Sequence, residues 1–484
     1  MISSTTDESS IVVLIMPHSL REIAIDIWKA GVAAVGSEHL IRQSVSIEEG
    51  QLRVVDQSFD LSELGRVVVV GAGKAGAGMA AAVEAIFSDA GLADRLSGWV
   101  NVPADCVRPL SRITLYGARP AGVNEPTVEG VAGSEKILEL VSGLRENDLC
   151  LVLLSGGGSA LLPAPIHGVT LEDKQIVTRL LMHGGATIGE LNCVRKQLSR
   201  IKGGGLARAA TAGRMISLII SDVIGDPLDV IASGPTVEDS STPQEALDVL
   251  RRIVPQADQI PSSVIEILEA RREQKEQCDD GAAERDLLGQ SAVEVTDHIL
   301  GSNAVAVEAA FERARELGFP VETLGSDVDG IASEIGRGFA ARALQVQATF
   351  SAPTCVISGG EPTVRLAETD QPRRGGRNQE VALGACAELA DVGFEVSEGF
   401  IILAGGTDGE DGPTDAAGAI CDAEVLAEMQ RRDLNPDNFL AINNAYEFFD
   451  RTGGLLKTGP THTNVMDLHV VLVGRPSGSL STSE

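Results

Sequence analysis

The sequence predicts an α/β protein of two α/β domains, the first of them a doubly wound sheet. Three observations support this prediction. Short apolar runs alternate with stretches of helical periodicity, as they do in βα units. The 484 residues include 53 glycines and only 3% aromatic residues, which is typical of aliphatic α/β layers with tight loops. A chain of this length also exceeds what one hydrophobic core usually covers, which favours two domains.

Five apolar runs are the predicted strands of the first domain, and an amphipathic helix over 19–35 precedes them. Four consecutive valines in the first run indicate a strand that is covered on both faces. Residues 255–290 are rich in charged and amide side chains, so they mark an exposed boundary region. The predicted strands cover residues 66–71, 98–102, 112–116, 149–154 and 215–221, and the predicted domains cover residues 18–290 and 296–474.

The α/β pattern resumes at residue 296 and continues to Gly474, after which the chain is polar. The second domain is predicted to contain two helices, over 304–317 and 378–391. Its predicted strands cover residues 298–302, 321–324, 354–358, 400–404 and 467–472.

Charge and cysteine content narrow the classes of function. With 69 acidic against 39 basic residues, the net charge of −30 disfavours binding to nucleic acid or to acidic membrane surfaces. Local cations must therefore attract any anionic ligand. The seven cysteines are widely spaced and are predicted to be reduced in a cytoplasmic protein. No run is long enough to span a bilayer, and the sequence leaves open whether the chain forms a homo-oligomer.

The first glycine-rich loop follows the valine strand. Gly71, Gly73 and Gly76 match the G-x-G-x-x-G pattern, in which glycines allow close backbone approach and the next helix points its free N–H groups at an anion. The acidic residue that a dinucleotide site needs about 20 positions further on is missing, because Asp105 comes too late. Lys74 would also add a positive charge inside the loop. These features favour a phosphate or anionic-substrate site over a dinucleotide site, and a purely structural turn stays open.

A second glycine-rich loop follows the predicted strand at 149–154. Its backbone amides and two serine hydroxyls could coordinate an anion. It matches neither the P-loop spacing nor the G-x-S-x-G pattern of hydrolases, and a flexible glycine turn is the alternative. The residues of the loop are Ser155, Gly156, Gly157, Gly158 and Ser159.

Charged residues at two further places could act on the same ligand. Arg195, Ser199 and Lys202 have the spacing of one helix face, which is either a phosphate or carboxylate clamp or a solvated surface. Asp222 follows the last strand of the first domain, at the end where open α/β sheets bind ligands. We predict that Asp222 is a general base or a Mg²⁺ ligand. Asp226 is a second metal candidate, although it could equally be a plain turn residue.

The second domain repeats the combination of strand end, glycine and charge. Arg377 precedes the predicted helix 378–391, where its guanidinium and the helix dipole would act on one phosphate. Glu361 follows a strand and is the other candidate metal ligand. Asp408 lies in a glycine-rich loop that lacks the twelve-residue pattern of a calcium-binding EF-hand. Further candidate ligand-binding residues are Asn378, Glu380 and Thr407.

Together, cationic clamps, hydroxylated glycine loops and carboxylates able to bind Mg²⁺ are typical of phosphoryl transfer, in which positioning and charge neutralisation supply most of the catalysis. Because these groups come from both predicted domains, the sequence predicts an active site in the interdomain cleft. Such a cleft is expected to close over its ligands.

These motifs resemble those of the glycerate 2-kinase family, some members of which have been called hydroxypyruvate reductases. The resemblance covers roughly residues 18–474. The matching segments are VGAGKA at 70–75, LSGGGSALLPAP at 154–165, VRK at 194–196, IKGG at 201–204, ISDV at 220–223, DVIASGPT at 229–236, GGRNQE at 375–380, GTDG at 406–409, GPTDAAG at 412–418 and TGPT at 458–461.

The resemblance implies a Rossmann-like N-terminal glycerate kinase domain followed by a C-terminal MOFRL-type domain. It implies transfer of the γ-phosphoryl group of ATP to the 2-hydroxyl of D-glycerate, with Mg²⁺ as the divalent cation. It also implies that Lys74 and Arg377 are the functional pair, whereas the role of Asp222 as the base is inferred from its strand-end position.

The chain departs from the family pattern at two places. Arg119 stands where the family usually has the histidine of Gly-His-Pro-x-Pro-Asp, and His462 stands where it usually has the glycine of Thr-Gly-Thr-Asn-Val. A contact between the first segment and the substrate would allow a preferred acid other than glycerate. Three alternatives therefore stay open: a kinase of a related small hydroxy acid, an NAD(P)-dependent hydroxypyruvate reductase and a non-catalytic acid-binding protein.

Overall fold

A computed structural model of the protein describes residues 19–120, 122–123, 125–211, 213–277, 293–349, 353–392 and 399–474. Within these ranges no helix is long and apolar enough to cross a membrane. Six of the cysteines lie in them, and all six are free thiols, in agreement with the prediction of reduced cysteines.

The described chain begins with two helices and a small antiparallel sheet. The predicted amphipathic helix is confirmed as α1 (Leu20–Ala34), whose N-cap Ser19 forms a capping box with Glu22. The small sheet was not predicted, because its three strands have four residues each and mix polar with apolar side chains. The remaining bounds are α2 (Ser37–Ser44), β1 (Val45–Glu48), β2 (Gln51–Val54) and β3 (Gln57–Asp60).

The first domain contains a parallel sheet of six strands. They are β4 (Val67–Ala72), β5 (Leu96–Pro103), β6 (Ile113–Arg119), β7 (Leu149–Leu154), β8 (Arg214–Ile220) and β9 (Glu294–Gly301), in the spatial order β6, β5, β4, β7, β8, β9. From β4 the chain moves outward to β5 and β6, and from β7 it moves outward in the other direction to β8 and β9. The topological switch point therefore lies between the carboxyl ends of β4 and β7, where such sheets bind their ligands.

Hydrophobic clusters cover both faces of this sheet. Val67 and Val69 of β4 belong to one cluster, and Val68 and Val70 belong to the cluster on the opposite face, as the run of four valines predicted. The helices of the first domain are α3 (Gly76–Asp89), α4 (Val128–Ser142), α5 (Gly158–Leu161), α6 (Leu171–His183), α7 (Ile188–Gln197), α8 (Gly205–Ala209), α9 (Pro243–Ile253) and α10 (Ser262–Gln277).

The second domain contains a mixed sheet, in which only β10 and β11 are parallel to each other. Its strands are β10 (Val321–Thr323), β11 (Thr354–Gly360), β12 (Phe400–Gly406), β13 (Gly418–Asp422), β14 (Leu455–Leu456) and β15 (Asp467–Val473), in the order β10, β11, β15, β12, β13, β14. Its helices are α11 (Asn303–Glu316), α12 (Ala332–Thr349), α13 (Arg377–Asp391), α14 (Ala423–Arg431), α15 (Pro436–Leu440) and α16 (Ala445–Thr452).

Two elements belong to a different sheet from the one that the predicted domain bounds assign to them. The strand predicted at 298–302 pairs with β8 and so completes the first sheet as β9. Helix α1 packs instead on the second sheet, where Ile27 and Trp28 share a hydrophobic cluster with residues of β11, β12 and β15, and the indole Nε1 of Trp28 donates to the carbonyl of Gly405 at 3.2 Å. Periodicity predicts that an element exists, but it does not specify which sheet the element joins.

Candidate active site

The two glycine-rich loops of the first domain meet at the switch point. The backbone N–H of Lys74 donates to the carbonyl of Gly156 at 2.9 Å. The hydroxyl of Ser155 accepts from the N–H of Ala75 at 3.0 Å. One continuous surface thus lies beside the N-terminus of α3, which carries partial positive charge.

Close packing explains the first two glycines of the G-x-G-x-x-G pattern. A Cβ on Gly71 would lie 2.0 Å from the carbonyl oxygen of Leu153 in the neighbouring strand. Gly73 has φ +145°, and a Cβ there would lie 2.0 Å from the hydroxyl oxygen of Ser155. The two glycines are therefore required by the contact between β4 and β7, with no nucleotide needed to account for them.

Lys74 reaches from the first domain to the second. Its Nζ lies 3.1 Å from Asp408 Oδ2 and 3.3 Å from Glu410 Oε2, both in the loop after β12. Burial alone would lower the pKa of Lys74, but Asp408 and Glu410 outweigh it, and the pKa is raised above its ordinary value. The ammonium is therefore charged at neutral pH and lies in a cleft between the domains.

Arg377 begins α13 and binds two carboxylates. Its Nε and Nη2 donate to Asp467 at 2.6 and 3.1 Å, while its Nη1 donates to Glu361 at 2.7 Å. The Asp467 side chain is fully buried. Although burial of Arg377 opposes the shift, Asp467 and Glu361 raise its pKa further above its usual range.

Replacement of Arg377 by methionine is expected to lower the free energy of unfolding by about 3 kcal/mol, because the buried carboxylate of Asp467 loses its partner. The additional change Asp467→Asn should recover most of that loss in urea denaturation. If Arg377 also acts on the substrate, the stable double variant will still lack activity. A single variant as stable as the parent chain would contradict this account of the pair.

Asp222 lies beside Gly156 of the second glycine-rich loop. The residue follows β8 and is partly buried, and its Oδ2 would be 2.3 Å from a Cβ on Gly156. Burial raises the pKa of Asp222 to about 6, the charge of Glu361 adds to the rise, and the charges of Lys74 and Arg377 oppose it. The charges of Lys74 of the first domain and Arg377 of the second thus both act on the pKa of this carboxyl group.

The end of the second glycine-rich loop is held by a buried lysine. The Nζ of Lys202 donates to the carbonyl and the hydroxyl of Ser159, both at 2.8 Å, and the hydroxyl of Ser159 lies 2.9 Å from that of Ser233. Gly157 has φ +78° and Gly158 begins α5. Lys202 thus stabilises the conformation of the loop through its two hydrogen bonds to Ser159.

The predicted helix face of Arg195, Ser199 and Lys202 is wrong, because α7 ends at Gln197. Ser199 forms an isolated antiparallel bridge with Pro165, and Lys202 lies in the turn that follows. Arg195 forms no hydrogen bond or ion pair within the described part of the chain, and burial lowers its pKa. Its role as a ligand-binding residue stays a prediction.

Three predicted residues of the second domain hold the loops around the cleft. The N–H of Asn378 donates to Asp411 at 3.0 Å, Glu380 accepts from the amide of Asn443 at 3.0 Å, and the hydroxyl of Thr407 donates to the carbonyl of Met466 at 2.7 Å. The sequence analysis predicted that these three residues bind a ligand, whereas here they form hydrogen bonds within the protein. Direct ligand contact by these residues stays a prediction.

The two metal candidates do not form a preformed cage. Among the described residues, no group of three or more histidine, cysteine, aspartate or glutamate side chains is arranged to hold a metal ion. Glu361 is bound to Arg377, and Asp226 lies in a turn with φ +54°. Glu361 acts on the pKa of Asp222, and Mg²⁺ commonly uses one or two carboxylates together with substrate phosphates.

Residues that the sequence analysis missed complete the cleft. Asp467 and Glu410 neutralise the two cations, and the amide of Asn464 donates to Asp222 Oδ2 at 3.4 Å. Of these three residues, only Asn464 lies in a segment that the sequence analysis compared with the family pattern, Thr-His-Thr-Asn-Val. The departure at His462 has a backbone consequence, because its φ of +60° falls in the region that favours glycine.

The fold and the candidate site are those of a two-domain α/β enzyme in which loops of the two domains meet, as Lys74 meets Asp408 and Glu410. The first domain matches the family described as "Domain of unknown function (DUF4147)" over residues 23–269, and the second matches the MOFRL family over residues 354–467. A glycerate kinase of Danio rerio is 38% identical, with 94% of this chain and 98% of the relative covered. The chain belongs to the glycerate kinase family.

Two microbial proteins are similar over nearly the whole chain. A glycerate 2-kinase of Pyrococcus horikoshii is 33% identical, with 95% of this chain and 98% of the relative covered. The crystal structure of a glycerate kinase from Thermotoga maritima superposes with a TM-score of 0.77 at 33% identity, covering 94% of this chain and all of that one. This similarity agrees with the predicted two-domain α/β fold.

Proposed function

We propose that the protein transfers the γ-phosphoryl group of ATP to the 2-hydroxyl of D-glycerate. One observation in particular supports this proposal: the carboxylate of Asp222 lies beside Gly156, whose carbonyl accepts a hydrogen bond from the backbone N–H of Lys74 at 2.9 Å. Phosphoryl transfer needs a base at the acceptor hydroxyl and fixed positive charge around the transferred group. The cleft contains groups of both kinds.

In the proposed mechanism, Asp222 accepts the proton of the 2-hydroxyl as the oxygen attacks the γ-phosphorus, and the bond from that phosphorus to the bridging oxygen of ADP breaks. Lys74 exchanges Asp408 and Glu410 for phosphate oxygens. The N–H groups at the start of α3 and in the Ser155 to Ser159 loop orient the phosphates. Charge on the transferred group is thereby neutralised at fixed positions.

Mg²⁺ would be held by the phosphates of ATP and by Glu361, while a contact with Asp226 stays a prediction. Bound there, the ion would neutralise charge on the phosphates and so favour their transfer. Glu361 can turn toward it because its side chain is 43% exposed. Arg377 then keeps Asp467 as its partner.

The proposal is tested by measuring ADP release with D-glycerate, Mg²⁺ and ATP, and by identifying the product by NMR. The signal of 2-phosphoglycerate is expected, and 3-phosphoglycerate would assign the other hydroxyl. An assay with hydroxypyruvate and NADH or NADPH tests the reductase alternative. The packing of β4 against β7 accounts for Gly71 and Gly73, so these glycines give no separate support to that alternative. A protein that stays inactive with ATP and every hydroxy acid would contradict the proposal.

A further inference from the structure

Arg119 differs from the other two cations that border the cleft. Lys74 is paired with Asp408 and Glu410, and Arg377 with Asp467 and Glu361. Within the described ranges, no carboxylate forms an ion pair with Arg119. The guanidinium is nevertheless buried, since the residue is only 5% exposed.

The position of Arg119 places its charge at the switch point. It is the last residue of β6, so it lies at the carboxyl ends of the strands, as do both glycine-rich loops. Its Nη2 would lie 3.0 Å from a Cβ on Gly157, and the Cγ of Lys74 would lie 4.0 Å from the same point. The guanidinium and the Lys74 side chain therefore flank one glycine, whose missing side chain leaves room between them.

Among the described residues, the hydrogen bonds of Arg119 leave one edge of the guanidinium without a partner. Nη1 donates to the carbonyl of Val123. Nε is buried and has no hydrogen-bond partner within the described residues. Nε and Nη2 form the edge that binds a carboxylate through two parallel hydrogen bonds, and Arg377 uses the same edge for Asp467.

A buried and unsatisfied donor of this kind is costly to the fold. Burial lowers the pKa of Arg119, and the nearby Asp105 and Cys106 oppose only part of that effect. An arginine nevertheless remains protonated throughout the physiological pH range. The protein thus maintains a permanent positive charge that lacks an acidic partner beside the loop where phosphoryl transfer is proposed.

We propose that Arg119 binds the carboxylate of the acceptor acid through Nε and Nη2. The inference rests on the proposed function, for which it identifies the substrate class as small 2-hydroxy acids with a free carboxylate. Asp222 lies at Gly156 and Arg119 at Gly157, so an acid bound this way has its hydroxyl toward the base and its carboxylate toward the guanidinium. Phosphate oxygens remain with Lys74 and the N-terminus of α3.

The test uses the full chain with Arg119→Gln, Arg119→Lys and the control Arg112→Gln. Arg112 precedes the same strand, but its side chain pairs with the exposed Asp94 at the surface. Calorimetry with D-glycerate in the absence of ATP should show affinity reduced roughly 10- to 100-fold in the glutamine variant. The lysine variant should lose less, and the control should match the parent chain. Glycerol, which lacks the carboxylate, should bind weakly to all four proteins.

Steady-state kinetics distinguish whether Arg119 binds the carboxylate of the acid or a phosphate of ATP. The glutamine variant should have a higher KM for the acid and an unchanged KM for ATP. An increase in KM for ATP alone would show that Arg119 binds a phosphate and would overturn the inference. Unchanged affinity for glycerate in either variant would also overturn it, and so would a parent chain that binds no hydroxy acid. If the parent binds glycerate through Arg119 without turning it over, the inference stands and the proposed function fails.

Discussion

Replacing Lys74 by alanine is expected to lower kcat/KM for phosphoryl transfer by roughly 10²- to 10³-fold, the usual effect of removing one fixed group that stabilises the transition state. Lys74 directly precedes the N-terminus of α3, and its Cγ would lie 4.0 Å from a Cβ on Gly157. ADP release at saturating and limiting ATP measures the loss. Because the pair with Asp408 and Glu410 is partly exposed, stability should change by less than about 1 kcal/mol.

Lys136→Ala is the matched control, because this lysine is partly exposed on α4 and, within the described part of the chain, pairs with Glu139 alone. It should leave kcat/KM unchanged. A Lys74→Ala protein with the activity of the parent chain would remove the main cation from the mechanism. The glycine-rich loop would then have a structural role alone.

Replacing Asp222 by asparagine is expected to lower kcat by roughly 10²- to 10⁴-fold, because the acceptor hydroxyl loses its general base. The pKa of about 6 adds a second, sharper expectation. A base acts in its deprotonated form, so the rate of the parent chain should rise as pH increases through about 6 and level off above it. The residual rate of the asparagine variant should lack this rise. Steady-state assays from pH 5 to about 8 at constant ionic strength measure both effects.

Asp248→Asn provides the comparison, since Asp248 is exposed on α9 and receives only a hydrogen bond from Gln244. Its pH profile should match that of the parent chain. If the Asp222 variant kept the rise near pH 6, another group would be the base. If it lost activity without any change in the shape of the profile, the role of Asp222 would be to position the substrate or a metal ion.

Much of the candidate site could be predicted because its signals are local. A buried strand that ends in glycine is visible in a few consecutive residues, so the loops containing Lys74, Ser155 and Asp222 were found at the carboxyl ends of β4, β7 and β8. Arg377 was found for the same reason, since it starts a helix after two glycines. The structure brings the loops of Lys74, Ser155 and Asp222 together at the switch point.

Other features depend on residues far apart in the chain. Asp467 follows Arg377 by 90 positions, and Asp408 follows Lys74 by 334, so sequence spacing gave no sign of either ion pair. The error at Arg195 and Lys202 had a more local cause, because a helical spacing was extended beyond the residue where α7 ends. The free edge of Arg119 is likewise a property of its surroundings and not of its own segment.

The amino-acid sequence by itself determined the α/β class, the positions of the long buried strands and the loops that contain the reactive groups. These follow from hydrophobic runs and from glycines, whose effects act over a few residues. Only the tertiary structure decided that β9 joins the first sheet, that α1 covers the second and that Lys74 and Arg377 have particular acidic partners. The reason is that strand order and ion pairing depend on which distant surfaces are buried together, and a linear pattern does not contain that information.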